Sequence, residues 1–353
     1  MSREQRKLDH IRYALELGDG PLTNGFADVH FLHNCLPELA PADIDITTTL
    51  GGIKLSVPFL INAITGGTDN VIEVNRKLAQ TAKFIGAAIA VGSQYGAVKN
   101  KSSYQSFEVV REVYPEGIIF ANVSALATPE EAAEAVNMLS ADALQIHLNP
   151  AQELIMPEGD RDFRGFLDNM CRILEQSKVP VIVKETGCGM AAEQIRQMIA
   201  AGFTWFDIGG AGGTNFPAIE AKRFTSQKSV LADWGISTAK TLAEAFSVCR
   251  RNNVIIASGG IRDGMTAAKA FALSADAVGM SGNILRYIME DSVEEAQKAL
   301  TEIISDLKLV MLLTGCSNLK TLRQAPLYFT GELREFLLDR DYDIAKISSG
   351  RKR

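Results

Sequence analysis

The stretch HLNPAQE, residues 147–153, sets His147, Asn149, Gln152 and Glu153 at the end of an apolar run, with Pro150 stiffening the turn. A lone histidine on an apolar strand is usually a satisfied core group, but two amides and a carboxylate crowded beside it weaken that reading. No second histidine or cysteine stands at zinc spacing. A single carboxylate suits Mg2+, which takes about one or two carboxylates and completes its shell with substrate phosphate. Lys184 follows the apolar run VPVIV. A lysine there needs an anion: it pairs with an acid such as Glu185, forms a Schiff base, or neutralises a reduced cofactor.

Other run ends carry small or polar residues. Ala63, Ile64 and Thr65 open AITGG, where glycines either make a tight turn or let a flat ligand approach the backbone. Ser93 and Gln94 in GSQYG, and Asn122 in ANVSA, either cap loops or hydrogen-bond a heterocycle edge. Three glycine-rich loops follow: GGAGGTN with Gly209 and Thr214, SGGIRDG with Gly259, Gly260 and Arg262, and GMSGN with Met280 and Ser281. Such loops in succession imply a phosphorylated cofactor or substrate held on backbone N–H groups. The basic pair Arg6-Lys7, just before Asp9 and His10, reads either as a solvated helix face or as an arm that closes over an anion.

The elements that position these residues follow from periodicity. Strand-like runs lie at 57–63, 86–92, 117–123, 142–148, 179–185, 204–210, 253–259 and 276–282. They are continuously apolar rather than alternating, as parallel strands buried on both faces are. Amphipathic stretches separate them. One begins with Thr128 as N-cap and Pro129 at the first helical position, and another ends at Gly202. This alternation predicts an α/β fold, a (β/α)8 TIM barrel, rather than an open doubly wound sheet, because no GxGxxG follows the first strand. The expected layout is one barrel domain over 1–353, with an N-terminal arm and lid at 1–55, the core at 57–315 and a C-terminal extension at 316–353.

Bulk composition narrows the class. The 353 residues are 46% hydrophobic and 22% charged, as in a soluble globular protein. A net charge of −6 argues against a dedicated nucleic-acid binder. No apolar segment suggests a signal peptide or a membrane span, and the five scattered cysteines form no CxxC pair. The expected setting is the reducing cytoplasm, with neither a disulfide frame nor a zinc site.

With those residues in view, the chain resembles the type 2 isopentenyl-diphosphate isomerases, which are FMN-dependent (β/α)8 proteins. The pieces that carry the resemblance run in order along nearly the whole chain: RKxDH (Arg6, Lys7, Asp9, His10), HNCLPEL (33–39), AITGG, HLNPAQE, VKETGCG (183–189), GGAGGTN, LADWGI (231–236) and SGGIRDG. The resemblance implies interconversion of isopentenyl and dimethylallyl diphosphate by proton addition and removal, with FMN kept reduced by NADPH, and with Mg2+. It implies that Ala63, Ile64, Thr65, Ser93 and Asn122 line the flavin, with Lys184 near its electron-rich end. Gly209, Thr214, Gly259, Gly260, Arg262, Met280 and Ser281 would hold the ribityl chain and phosphate. Arg6, Lys7, Ser93, Gln94 and His147 would meet the substrate, Gln152 would lie at the reacting carbons as the catalytic amide, and Glu153 would bind Mg2+. It also implies a tetramer or octamer.

Two positions depart from the family pattern. Ile64 stands where methionine is usual, an apolar exchange. Tyr95 follows GSQ where the family commonly has an arginine for the diphosphate. Tyrosine brings no charge, so Mg2+ and Arg6-Lys7 should carry more of the anion, or Lys99 or Lys101 should supply the missing cation. The competing class is an FMN-dependent oxidoreductase of the same barrel, of the hydroxy-acid oxidase or dihydroorotate dehydrogenase kind. Hydroxy-acid oxidases need a histidine base and arginines for a carboxylate at particular strand ends; here Arg262 and His147 stand alone of their types in those runs. An inosinate-type dehydrogenase needs a cysteine in the loop after the sixth strand, and GGAGGTN has none. A non-catalytic flavin-binding scaffold is the third reading.

Overall fold

The computed structural model describes residues 3–99, 101–224 and 229–348, with side chains from residue 7 onward except Ser102. Eight parallel strands close into a barrel: β1 Phe59–Ile61, β2 Ala88–Ala90, β3 Ile119–Ser124, β4 Ala143–Leu148, β5 Val181–Glu185, β6 Trp205–Asp207, β7 Val254–Ser258 and β8 Ala277–Met280. Each pairs with its sequence neighbours, and β8 returns to β1. Every strand lies inside its expected run, except that β3 ends at Ser124, one residue past 123.

The continuous apolarity of these runs has a physical reason. Successive strand residues point to opposite faces, and here both faces are buried. Ala88, Phe120, Ala143, Ile182, Trp205 and Ile256 fill the barrel interior. Their neighbours Ile89, Ile119, Leu144, Val183, Phe206 and Ile255 pack outward against the helices. Helix starts follow local chemistry. Thr128 caps Pro129–Leu139, its hydroxyl accepting from Glu131 N–H while the Glu131 carboxylate accepts from Thr128 N–H. The helix expected to stop at Gly202 runs Ala192–Ala200, with Ala201 as its C-cap; Gly202, at φ +98°, takes the left-handed position that follows.

Two extensions close the barrel. A hairpin, Thr48–Leu50 with Ile53–Leu55, adds Leu50 and Leu55 to the interior cluster beside Trp205 and stoppers the amino-terminal mouth. Antiparallel pairing of Val29–Phe31 with Leu327–Phe329 ties the N-terminal segment to the C-terminal one. The N-terminal helix Arg3–Leu17 lies on helix Phe216–Phe224, at the other end of the barrel. The carboxyl ends of the strands are therefore left to line a cavity.

Candidate active site

The polar residues of the site arise from the same two-residue period that builds the core. Two positions beyond an inward apolar residue, the inward face turns polar. Leu60 is followed by Asn62, Phe120 by Asn122, Ala143 by Gln145 and then His147. Likewise Ile182 is followed by Lys184, Trp205 by Asp207 and Ile256 by Ser258. Barrel closure sets these residues side by side: Asn122 is register partner to Gln145, His147 to Lys184, and Lys184 to Asp207. Above them lies a cavity of about 540 Å³.

Lys184 is 7% exposed, and its Nζ lies 3.0 Å from Oδ2 of Asp207, which is fully buried. Its acid partner is Asp207 rather than Glu185, because Glu185 points the other way along the strand. Glu185 instead uses Oε2 to accept from the backbone N–H groups of Gly187 at 2.7 Å, Cys188 at 2.6 Å and Gly189 at 2.9 Å. Burial still pushes its carboxyl up to about 7 against those bonds. Burial, and then Glu185, push the Cys188 thiol up to about 12, so it is a packing residue rather than a nucleophile.

The HLNPAQE stretch forms the end of β4 and a short helix, Pro150–Ile155. Burial, reinforced by Lys7 and Lys184, presses His147 down to about 4, so the ring is neutral at pH 7. Gln152 is held at both ends: Oε1 accepts from Asn149 Nδ2 at 3.1 Å and Nε2 donates to Glu220 Oε1 at 2.7 Å. Glu153 accepts from Asn149 Nδ2 at 2.8 Å and from Asp160 N–H at 3.0 Å. His147, Gln152 and Glu153 all line the cavity.

Glu220 and His10 had no assigned role in the sequence reading. Glu220 is fully buried on helix Phe216–Phe224; besides Gln152 it binds His10 Nε2 at 2.7 Å and the Arg223 guanidinium. Burial pushes its carboxyl up, but the His10 bond, the His10 charge, Gln152 and Arg223 more than offset that and hold it low. A mid-helix glutamate gives no sequence signal of this kind; only the docking of the N-terminal helix reveals it. The same docking brings Lys7 to the cavity wall. Arg6 is on that helix, but its side chain lies outside the described residues.

Most other expected residues line the cavity: Ala63, Ile64, Thr65, Ser93, Tyr95 and Asn122 on one side, and Gly209, Thr214, Gly259, Gly260, Arg262, Met280 and Ser281 on the other. Gln94 is the correction. It is fully buried behind the wall, with Nε2 donating to Ala135 O at 2.9 Å and Oε1 accepting from Asn122 N–H at 2.9 Å, so it braces Asn122 and does not meet a ligand. Of the two lysines near Tyr95, Lys99 lines the cavity with Nζ 4.5 Å from the Tyr95 ring centre. The Lys101 side chain is 79% exposed and turns to Glu134 at 3.8 Å.

The wall fits a flavin mononucleotide. Thr65 Oγ1 is buried with no hydrogen-bond partner, a free polar atom beside the Ala63–Thr65 backbone. The loops after β6 and β7 touch backbone to backbone: a Cβ on Gly259 or Gly260 would lie 2.0 Å from the Gly210 or Gly212 carbonyl oxygen, respectively. Helix Gly282–Glu290 begins at the cavity with no side-chain cap on its N-terminus, a ready phosphate seat. Glu153 offers hard oxygen donors for Mg2+. Among the described residues no cluster of three or more His, Cys, Asp or Glu forms a self-sufficient metal site, so a cation there would draw on ligand oxygens.

Comparison with known proteins agrees with this geometry. The FMN-dependent dehydrogenase family matches residues 115–328. An isopentenyl-diphosphate delta-isomerase from Geobacillus sp. (strain WCH70) is 44% identical, covering 97% of this chain and 98% of its own. One from Moorella thermoacetica is 43% identical over 96% of each chain. The chain belongs to the isopentenyl-diphosphate delta-isomerase family. A lactate oxidase structure from Pediococcus acidilactici superposes with a TM-score of 0.68 over 93% of each chain at 15% identity, which speaks to the shared barrel alone. Among the described residues no helix is long and apolar enough to cross a membrane.

Proposed function

We propose that this enzyme interconverts isopentenyl diphosphate and dimethylallyl diphosphate by adding a proton at one carbon and removing one from another, with bound reduced FMN and Mg2+. The observation that carries the reading is Gln152, an amide tied to the buried carboxylate Glu220 and set beside Glu153 in a cavity whose far wall suits a flavin phosphate. A neutral amide is a poor base by itself. The carboxylate behind it gives the pair a proton acceptor that the amide lacks. Bound reduced FMN supplies a further acid–base group and an electron-rich ring for developing positive charge. NADPH is the proposed reductant.

The chain's own groups divide the remaining work. Lys184 supplies a cation next to the flavin wall, held in place by Asp207. Glu153 would hold Mg2+, which would supply positive charge for the diphosphate. Lys7 and Lys99, the latter beside Tyr95, face the anion, and Arg6 lies on the same helix as Lys7. Lys99 takes the place of the family arginine, since Lys101 lies away from the cavity. The docked N-terminal helix covers the site and carries His10, which keeps Glu220 ionised. The test is an anaerobic incubation in D2O with FMN, NADPH, Mg2+ and isopentenyl diphosphate, followed by NMR. Deuterated dimethylallyl diphosphate without stoichiometric loss of NADPH is expected. A flavin that NADPH reduces, with no isomerisation, would overturn the reading in favour of a redox enzyme.

A further inference from the structure

A chain of side chains runs from Asp207 to His147, with Asp207, Asn62 and Gln145 behind the cavity wall and Asn122 and His147 on it. Asp207 Oδ2 accepts from Lys184 at 3.0 Å and from Asn62 Nδ2 at 2.7 Å. Asn62 Oδ1 accepts from Ala63 N–H at 2.9 Å and from Gln145 Nε2 at 3.0 Å. Gln145 Oε1 accepts from Asn122 Nδ2 at 2.9 Å. Asn122 Oδ1 lies 2.8 Å from His147 Nδ1. Asn62, Asn122, Gln145 and Asp207 are each at most 2% exposed, so water does not compete for these bonds.

A primary amide accepts at one end and donates at the other, so fixing one end fixes both. A carboxylate paired with a lysine only accepts, so Asn62 must turn its NH2 group toward Asp207. The Ala63 N–H only donates, and it independently demands the same orientation. Gln145 must then donate to the Asn62 oxygen, because two lone pairs would otherwise meet. That turns its oxygen to Asn122, whose NH2 group must face it. The Asn122 oxygen is left for His147. By the fourth side chain no choice remains, and Nδ1 must carry a proton.

We propose that Asp207 is a positioning residue which, through Asn62, Gln145 and Asn122, fixes the imidazole proton of His147 on Nδ1 and leaves Nε2 as the nitrogen offered to the ligand. The inference deepens the isomerase reading: a bare Nε2 only accepts, so His147 meets the diphosphate only where that group, a water or the nearby Lys7 brings the proton. Its first test needs no substrate. The FMN-loaded full-length protein is labelled with 15N-histidine, and long-range 15N–1H correlations at neutral pH distinguish protonated from bare ring nitrogens. With four histidines in the chain, the His147 signals are those lost in His147→Gln.

Wild type should show one form, protonated at Nδ1 and bare at Nε2. Gln145→Met cuts the relay but leaves the Lys184–Asp207 pair, and both tautomers should then be populated. Adding Asn122→Asp to that variant places an acceptor-only carboxylate beside Nδ1 and should restore the single form, a rescue that a purely structural role does not predict. A wild-type ring protonated at Nε2 overturns the proposal, whether or not either variant folds. So does a folded Gln145→Met protein that keeps one tautomer. Failure of the isomerase reading would appear in the D2O experiment and leave the tautomer result standing.

Discussion

Replacing Glu220 by glutamine tests the coupling between a buried carboxylate and the amide it holds. The exchange is nearly isosteric, so shape is kept and one acceptor becomes a donor. Glu220 Oε1 lies 2.7 Å from both Gln152 Nε2 and His10 Nε2, and the Arg223 guanidinium binds the same carboxylate. Glutamine has one carbonyl oxygen for these three donors. Turned to Arg223, it leaves an NH2 group facing Gln152; turned to Gln152, it leaves the buried guanidinium short of a partner. A hydrogen bond to a charged group contributes about 1.5–3 kcal/mol. Losing one at Gln152 in the transition state should lower kcat by about 10- to 150-fold. Glu220 does not line the cavity, so KM should stay within about threefold. Steady-state conversion of isopentenyl diphosphate, with flavin content checked by absorbance, reads both constants. A flavin-loaded Glu220→Gln enzyme with kcat within about threefold of wild type would refute the role given to Glu220.

Three further outcomes are expected. Lys184→Met leaves Asp207 buried without its cation and should cost about 3–5 kcal/mol in denaturant unfolding, while Lys184→Met with Asp207→Asn should recover part of it. Folding keeps the His147 ring neutral down to about 4, whereas the unfolded ring charges below about 6.5. The stability that wild type gains from this histidine is therefore full above 6.5 and is lost as pH falls toward 4. Its advantage over His147→Gln should shrink by at most about 3 kcal/mol across that window in urea titrations of the apoprotein, and a constant difference would contradict the buried neutral ring. Chelating Mg2+, or replacing Glu153 by glutamine, should weaken isopentenyl diphosphate binding while flavin absorbance is unchanged; loss of flavin instead would place the cation elsewhere.

The barrel was legible because burial on both faces of a parallel strand writes itself as unbroken apolar runs, and all eight runs hold strands. HLNPAQE was legible because its residues are contiguous: one strand end and one turn of helix suffice to group His147, Gln152 and Glu153. The glycine loops were legible because close backbone contact excludes a Cβ, whatever lies across from it. Two other features needed the closed structure. Asn62 and Asp207 are 145 positions apart, and His10 and Glu220 are 210 apart. No local pattern marks Glu220 off from the surface acids of other helices. Gln94, by contrast, read as either a loop cap or an amide for a ligand edge, and it braces Asn122 instead, since its side chain points behind the wall. Sequence by itself determined which residues could meet at the strand ends, through the two-residue period and the spacing of the turns. Barrel closure and the docking of the N-terminal helix decided which of them do meet, because a hydrogen bond between distant residues exists only once the backbone between them is fixed.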